Sequence, residues 1–443
     1  EERLDDVRRF VRERLPDYMV PAAFVHMADL PVTVHGKLDR RALPVPEVAT
    51  RSDSYIAPTT DTERSLARVF ADVLGVDRVG TQDSFFALGG DSIMSIQLVA
   101  RAKAAGLVFS PRDVFEHRTV AALAMAVTPA GPTASMLEEL PGDGVGDVPL
   151  TPILRWLVER GRTYPGFCQS VSVPLPDRLR EADLLAALQA VVDRHDMLRA
   201  RLHAVPGVAD DLRLETRPIG SVSASSILRC VRVDDPTGPE FFAIAAAEHA
   251  AATGRLDPGR GVMLQAVRFD AGSASRLLLV AHHAVIDGVS WRILLGDLAA
   301  AAARLEHGLA PDPAPTGTSM RRWAHGLVEV ARRGTRTHEL PFWVSTLSGP
   351  DPLLGTREVD PAVDVGATVD TVTVEVPAPT TAALLTVLPA AFHGNVMDGL
   401  LAALAGAVVA QRADRGIDLT QVLVGLEGHG REEQAVRGAD LSR

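Results

Sequence analysis

The chain has 443 residues, 47% of them hydrophobic and 23% charged, with a formal net charge of -11. At roughly 150 residues per domain one core cannot hold it, so about three units are expected. No uninterrupted apolar run of about 18 residues occurs, which argues against a membrane span, and an isoelectric point near 5.6 offers no broad footprint for nucleic acid.

The N-terminus, EERLDDVRRFVRERL, is charged from its first residue and lacks the apolar core and cleavage site of a signal peptide. Cytoplasmic residence is the default expectation. Helical spacing over roughly residues 2–14 ends before Pro16. Ala22 to Leu30 then reads as strand, and Pro31 to Lys37 as an exposed turn with Gly36 free to take positive φ. Residues 44–60 mix prolines with polar residues and lack apolar periodicity, which marks a linker.

From Thr62 the pattern turns helical, with Leu66, Val69, Phe70, Val73 and Leu74 on one face. A loop containing LGGDS leads into a second helix, predicted from Ser92 to about Ala105, and another helix is predicted near Val120. This is a small helical unit of about 70 residues. A Gly, Pro and Asp-rich stretch over 129–146 follows it as a second linker.

The third unit begins near residue 147 and reads as α/β or α+β. Helices are predicted over Glu181–Arg194, Phe241–Ala252 and Ser290–Leu305. Met263–Phe269, the turn DAGSAS and Arg276–Ala281 read as a hairpin, whose second strand is apolar enough to lie inside a sheet and runs into His282 and His283. The two cysteines, Cys168 and Cys230, form neither a disulfide framework nor a CxxC zinc pattern and are expected as buried thiols.

Ser92 follows two glycines at a predicted helix start, where free N–H groups and the helix dipole favour an anionic phosphate. Taken alone, such a serine is a helix cap. The segment DSFFALGGDSIMSIQLVARAKAAG resembles peptidyl carrier domains over residues 61–128. The resemblance makes Ser92 the attachment site of 4'-phosphopantetheine, with a phosphopantetheinyl transferase as a partner. Asp91, where many carriers have His, resembles carriers that precede epimerization domains.

Upstream, LPDYMVPAAFVHMADLPVTVHGKLDRRAL resembles the end of the C-terminal subdomain of adenylation domains over residues 1–47, leaving 48–60 as linker. By that resemblance Lys37 reaches the carboxylate and α-phosphate of an acyl-adenylate; on its own the GKLDR turn is only solvated charge. The large subdomain that binds ATP and amino acid is not in the sequence.

His282-His283-Ala-Val-Ile-Asp287-Gly288 follows a predicted buried strand and precedes a helix, a place where an imidazole can be held rigidly for proton transfer. A structural histidine is the plainer reading. A metal site lacks a third ligand at familiar spacing, and Asp287 is open to a second role, orienting the loop through backbone or Arg groups. HHAVIDGVSWRILLGDL resembles the shared motif of condensation and epimerization domains, which adopt the chloramphenicol acetyltransferase-like α/β fold, and its Ser290-Trp291 continuation favours epimerization. VPLTPILRWLVERG, FCQSVSVPLP and VGLEGHGRE extend the resemblance over 147–443.

The resemblance makes His283 and Glu427 the catalytic pair, with His282 and Asp287 beside them. Epimerizing an aminoacyl or peptidyl thioester removes the Cα proton and returns it on the other face, so an acid and a base are required. Partial burial of Glu427 would raise its pKa and make it the better base. Condensation is the alternative reading, and a carrier and docking module with an inert third domain is another. Three departures stand out: Leu154 replaces a usual Gln, Gly399 weakens a helix start, and the sequence stops shortly after EGHGREE, which leads us to expect low stability and exposed apolar edges. The whole is thus read as multidomain: an adenylation remnant, a helical-bundle carrier and an incomplete acetyltransferase-like domain working with neighbouring synthetase modules.

Overall fold

The computed structural model describes residues 55–86, 88–90, 92–109, 111–129, 137–161, 166–177, 179–204, 212–313, 315–360, 362–392 and 396–442. The helix, strand and turn expected before residue 48, and Lys37 with them, lie outside the described residues. These residues divide into two compact units, one built from 55–338 and 428–442, the other from 339–427.

The first unit opens with a helical bundle. Helix α1 (Asp61–Leu74) is held at its start by a reciprocal box in which Thr60 Oγ1 accepts from the Glu63 N–H and Glu63 accepts from the Thr60 N–H. It stops at Gly75, whose φ of 68° is left-handed. Helix α2 (Ser92–Ala104), β1 (Leu107–Val108), α3 (Pro111–His117), α4 (Val120–Ala126) and β2 (Thr128–Pro129) complete it, the two short strands pairing antiparallel. Leu66, Phe70, Phe85, Leu98, Val114 and Leu123 are fully buried together, and each such side chain contributes roughly 1.5–3 kcal/mol of transfer free energy. Sequence periodicity did not indicate α3. Its seven residues begin with a proline, tolerated in a first turn, and are too few to display a period.

Beyond it come β3 (Gly146–Val148), α5 (Pro152–Gly161), β4 (Cys168–Pro174), α6 (Glu181–Arg194), β5 (Ala200–Ala204), β6 (Leu212–Thr216), α7 (Ala224–Ile227), β7 (Leu228–Arg232), α8 (Pro239–Arg255), β8 (Leu264–Asp270), β9 (Arg276–His282), α9 (Gly288–Glu306) and α10 (Met320–Arg332). One sheet has the order β3-β6-β5, the other β4-β9-β8-β7 with β7 parallel to β8 and the remaining pairs antiparallel. The hairpin expected around DAGSAS is present, with Leu264 opposite Ala281. Its second strand, β9, lies between β4 and β8. Leu277, Leu279 and Ala281 pack with Leu184, Leu188, Leu294 and Leu298 of α6 and α9, while Leu278 and Val280 pack with Phe241 and Ala252 of α8 on the other face. Burial on both faces explains why the strand reads as a continuous apolar run.

The expectation for the cysteines requires correction. Cys168 is half-buried, its Sγ 3.6 Å from Thr253 Oγ1. Cys230 is exposed, on the edge strand β7.

The second unit contains α11 (Leu340–Leu347), α12 (Ala378–Ala382), α13 (Leu388–Phe392) and α14 (Val396–Asp414). Exposed apolar surface is extensive there: Phe342, Trp343, Val372 and Phe392 are all more than half exposed. By length and composition alone α14 suffices to cross a membrane. Gly399 does not merely weaken this helix; it lies buried in the first turn, where a Cβ would collide with Leu388, so close packing offsets its low propensity.

Candidate functional site

His282 and His283 leave the end of β9 in opposite senses. His282 is fully buried, and its Nδ1 accepts from the Ala284 N–H at 3.2 Å. His283 is half-buried; its backbone N–H donates to the Phe167 carbonyl, and its ring stacks on the Phe167 ring at 4.7 Å between centroids. The loop closes on Asp287, which caps α9. Its Oδ1 accepts from both the backbone N–H and the hydroxyl of Ser290, each at 2.7 Å. Asp287 is thereby committed to shaping the loop, and its nearest cation is Arg431 at 4.0 Å. Burial pushes the Arg431 guanidinium below its ordinary pKa, with Asp287 opposing.

Both imidazole nitrogens of His283 are engaged. Nδ1 lies 2.9 Å from the Ile286 carbonyl, which can only accept, so Nδ1 carries the hydrogen. Nε2, left as the basic nitrogen, is 3.0 Å from the Gln169 side-chain nitrogen. Trp291 Nε1 donates to Gln169 Oε1 at 3.1 Å. Reading the sequence missed Gln169: it sits within FCQSVSVP, and alternation along a strand signals burial, not a partner 114 residues away. Leu154 is buried against the same loop's foundation with Val148, Leu202, Met263 and Ala284, an apolar contact in place of a donor.

Glu427 is exposed and belongs to the second unit. The partial burial that would raise its pKa is not seen, and the segment carrying it forms no helix or strand. Among the described residues a grouping of possible metal donors, Asp113, Glu116 and His117, lies on α3.

In the bundle, Ser92 is the first residue of α2. The approach to it is tight: Gly89 has φ of 98°, and a Cβ on Gly90 would lie 2.5 Å from the Phe85 ring. No acidic residue occupies the first turn of α2. A phosphodiester at this helix start fits, since the positive end of the helix dipole favours an anion. Ser92 and the first turn of α2 would hold the group, and its flexible thiol arm would supply a thioester.

Comparison with known proteins matches the condensation-domain family over residues 146–443 and a phosphopantetheine attachment site over residues 64–127. A linear gramicidin synthase of Brevibacillus parabrevis is 37% identical over all of this chain, which spans 6% of that protein. A chondramide synthase of Chondromyces crocatus is 36% identical over 99% of the chain and 11% of its own length. The crystal structure of the epimerization domain from the third module of tyrocidine synthetase B aligns at a TM-score of 0.49 and 23% identity, covering 62% of this chain and 61% of that one. With more than half of its residues matched by one family and a carrier segment ahead of them, the chain belongs to the condensation-domain family of nonribosomal peptide synthetases, carries a 4'-phosphopantetheine attachment segment, and has the chloramphenicol acetyltransferase-like fold.

Proposed function

We propose that the chain carries an aminoacyl or peptidyl thioester on an arm attached to Ser92 and epimerizes its Cα, with His283 and Glu427 exchanging the proton from opposite faces. The observation that carries this reading is the His283 imidazole, whose Nδ1–H is spent on the Ile286 carbonyl so that Nε2 is the proton-exchanging nitrogen. Asp287 holds the loop through the α9 cap, and buried His282 anchors its base. Glu427, exposed, is the second proton carrier: when His283 Nε2 takes the Cα proton, the Glu427 carboxyl must enter the step protonated so that it delivers its proton to the opposite face. Donors near the thioester oxygen would stabilise charge developing there.

A phosphopantetheinyl transferase loads Ser92, and neighbouring modules deliver and receive the thioester. Lys37 would serve an adenylation subdomain at the chain's start. The second reading is peptide-bond formation, favoured by the family match itself, which is to condensation domains. There His283 would assist attack by an amine. The Ser290-Trp291 continuation, EGHGRE and the GGDS carrier favour epimerization.

The test loads Ser92 from an aminoacyl-CoA with a transferase in D2O and follows mass and chirality of the released amino acid. Deuterium entering Cα, lost in Glu427→Gln and His283→Ala, supports epimerization. Loading without exchange overturns it, and amide formation with a supplied acceptor amine establishes condensation instead.

A further inference from the structure

Trp291 and Gln169 are 122 residues apart in the chain but join the loop and strand around His283. A glutamine amide has one accepting end and one donating end, interchanged by a half-turn. The Trp291 indole N–H can only donate. It therefore fixes Gln169 Oε1 toward itself and leaves the amide nitrogen facing His283 Nε2 at 3.0 Å. On the far side of the ring the Ile286 carbonyl accepts only. With the ring plane set by the Phe167 stack, one hydrogen pattern satisfies every group: hydrogen on Nδ1 and a lone pair on Nε2.

We infer that Gln169 and Trp291 are positioning residues that keep His283 a neutral proton acceptor at Nε2 and make its protonation depend on release of the Gln169 amide. A proton on Nε2 would oppose the amide N–H. Turning Gln169 over to accept it would oppose the indole N–H, so the tryptophan holds the glutamine in the form that rejects the imidazolium. An arriving substrate that displaces the amide uncovers the lone pair to take the Cα proton; once the product leaves, that proton passes to water and the Gln169 amide returns to the neutral ring. Other titratable or charged groups around the loop are His282, Cys168 opposite it in the β4–β9 register, Asp287 and Arg431. This inference rests on the reading of His283 as a proton carrier.

The test follows His283 imidazole 15N shifts against pH in the intact chain, with His283→Gln assigning the signal. Wild type should show hydrogen on Nδ1 in the neutral form. In Gln169→Glu a carboxylate can accept from Nε2–H, so the titration midpoint should rise by about one unit or more. In Trp291→Phe the amide is free to turn, and the midpoint should rise by less. Folding of each variant is checked by its amide spectrum. An unchanged midpoint in folded Gln169→Glu, or hydrogen on Nε2 in neutral wild type, overturns the inference. The expected shifts without any Cα exchange in wild type would uphold the positioning and remove only the epimerization reading.

Discussion

A Cβ on Gly90 would lie 2.5 Å from Cδ1 and Cε1 of Phe85, a ring with no exposed surface. The ring has nowhere to go, since it already meets Phe70 and Phe86 edge-on. Gly90→Ala should therefore destabilise the bundle by about 1–3 kcal/mol and slow loading of Ser92; chemical denaturation and a transferase assay measure the two effects. At this scale, what sequence reading finds are residues whose partners are close in the chain. GGDS and HHAVIDG are legible because each motif and its turn are contiguous. The Trp291–Gln169–His283 relay is not, because its members come from separate elements, and exposure of Cys230 and Glu427 depends on what covers them.

The helices α1, α2, α4, α6, α8 and α9 and the hairpin were visible as elements because they are amphipathic or uniformly buried, whereas α3, α5, α7, α10 and α11 were not read from the sequence. Glu181–Arg194 forms over the expected residues, and α8 and α9 extend their predicted ranges by one to three residues at each end, where caps and not periodicity decide. The parallel pairing of β7 with β8 had no sequence signal, since register is a property of two strands together. Asp287→Ala removes the α9 cap and should cost about 1 kcal/mol while loosening the His283 loop; Asp287→Asn retains an accepting oxygen and should lose less, as thermal melts will register. The α1 box makes a prediction about pH. N–H and hydroxyl donors from Thr60 and Thr59 hold the Glu63 carboxyl down to about 2. A depressed acid stabilises the fold above its ordinary range near 4.5 and loses that contribution as pH falls toward 2. The melting difference between wild type and Glu63→Gln should thus be constant above pH 5 and shrink below it, modestly because the group is exposed.

At the scale of the unit that contains both, the bundle meets the segment following EGHGRE. Lys103 at the end of α2 pairs with Asp440, and Asp440 is fixed by Ser442 and by the Thr318 hydroxyl. Burial alone would lift the Asp440 carboxyl, but Lys103 and Ser442 outweigh it and hold it below its ordinary range. Lys103 is nearly half exposed, so the pair is worth at most about 1 kcal/mol and weakens with salt. Lys103→Glu should free the bundle, seen as faster cleavage of the 129–146 connection by protease and as loss of its salt dependence. No sequence pattern announced this contact, since both partners are ordinary surface charges.

Ser92 and Lys103 are near opposite ends of one 13-residue helix. A helix of that length is a stiff rod of about 20 Å, locked into the bundle core through Leu98, Val99 and Ala102, so the bundle is moored at the Lys103 end and Ser92, the proposed attachment residue, lies at the far one. Untying Lys103 would leave that proposed attachment chemistry untouched. It would change only the arc from which an arm on Ser92 sets out.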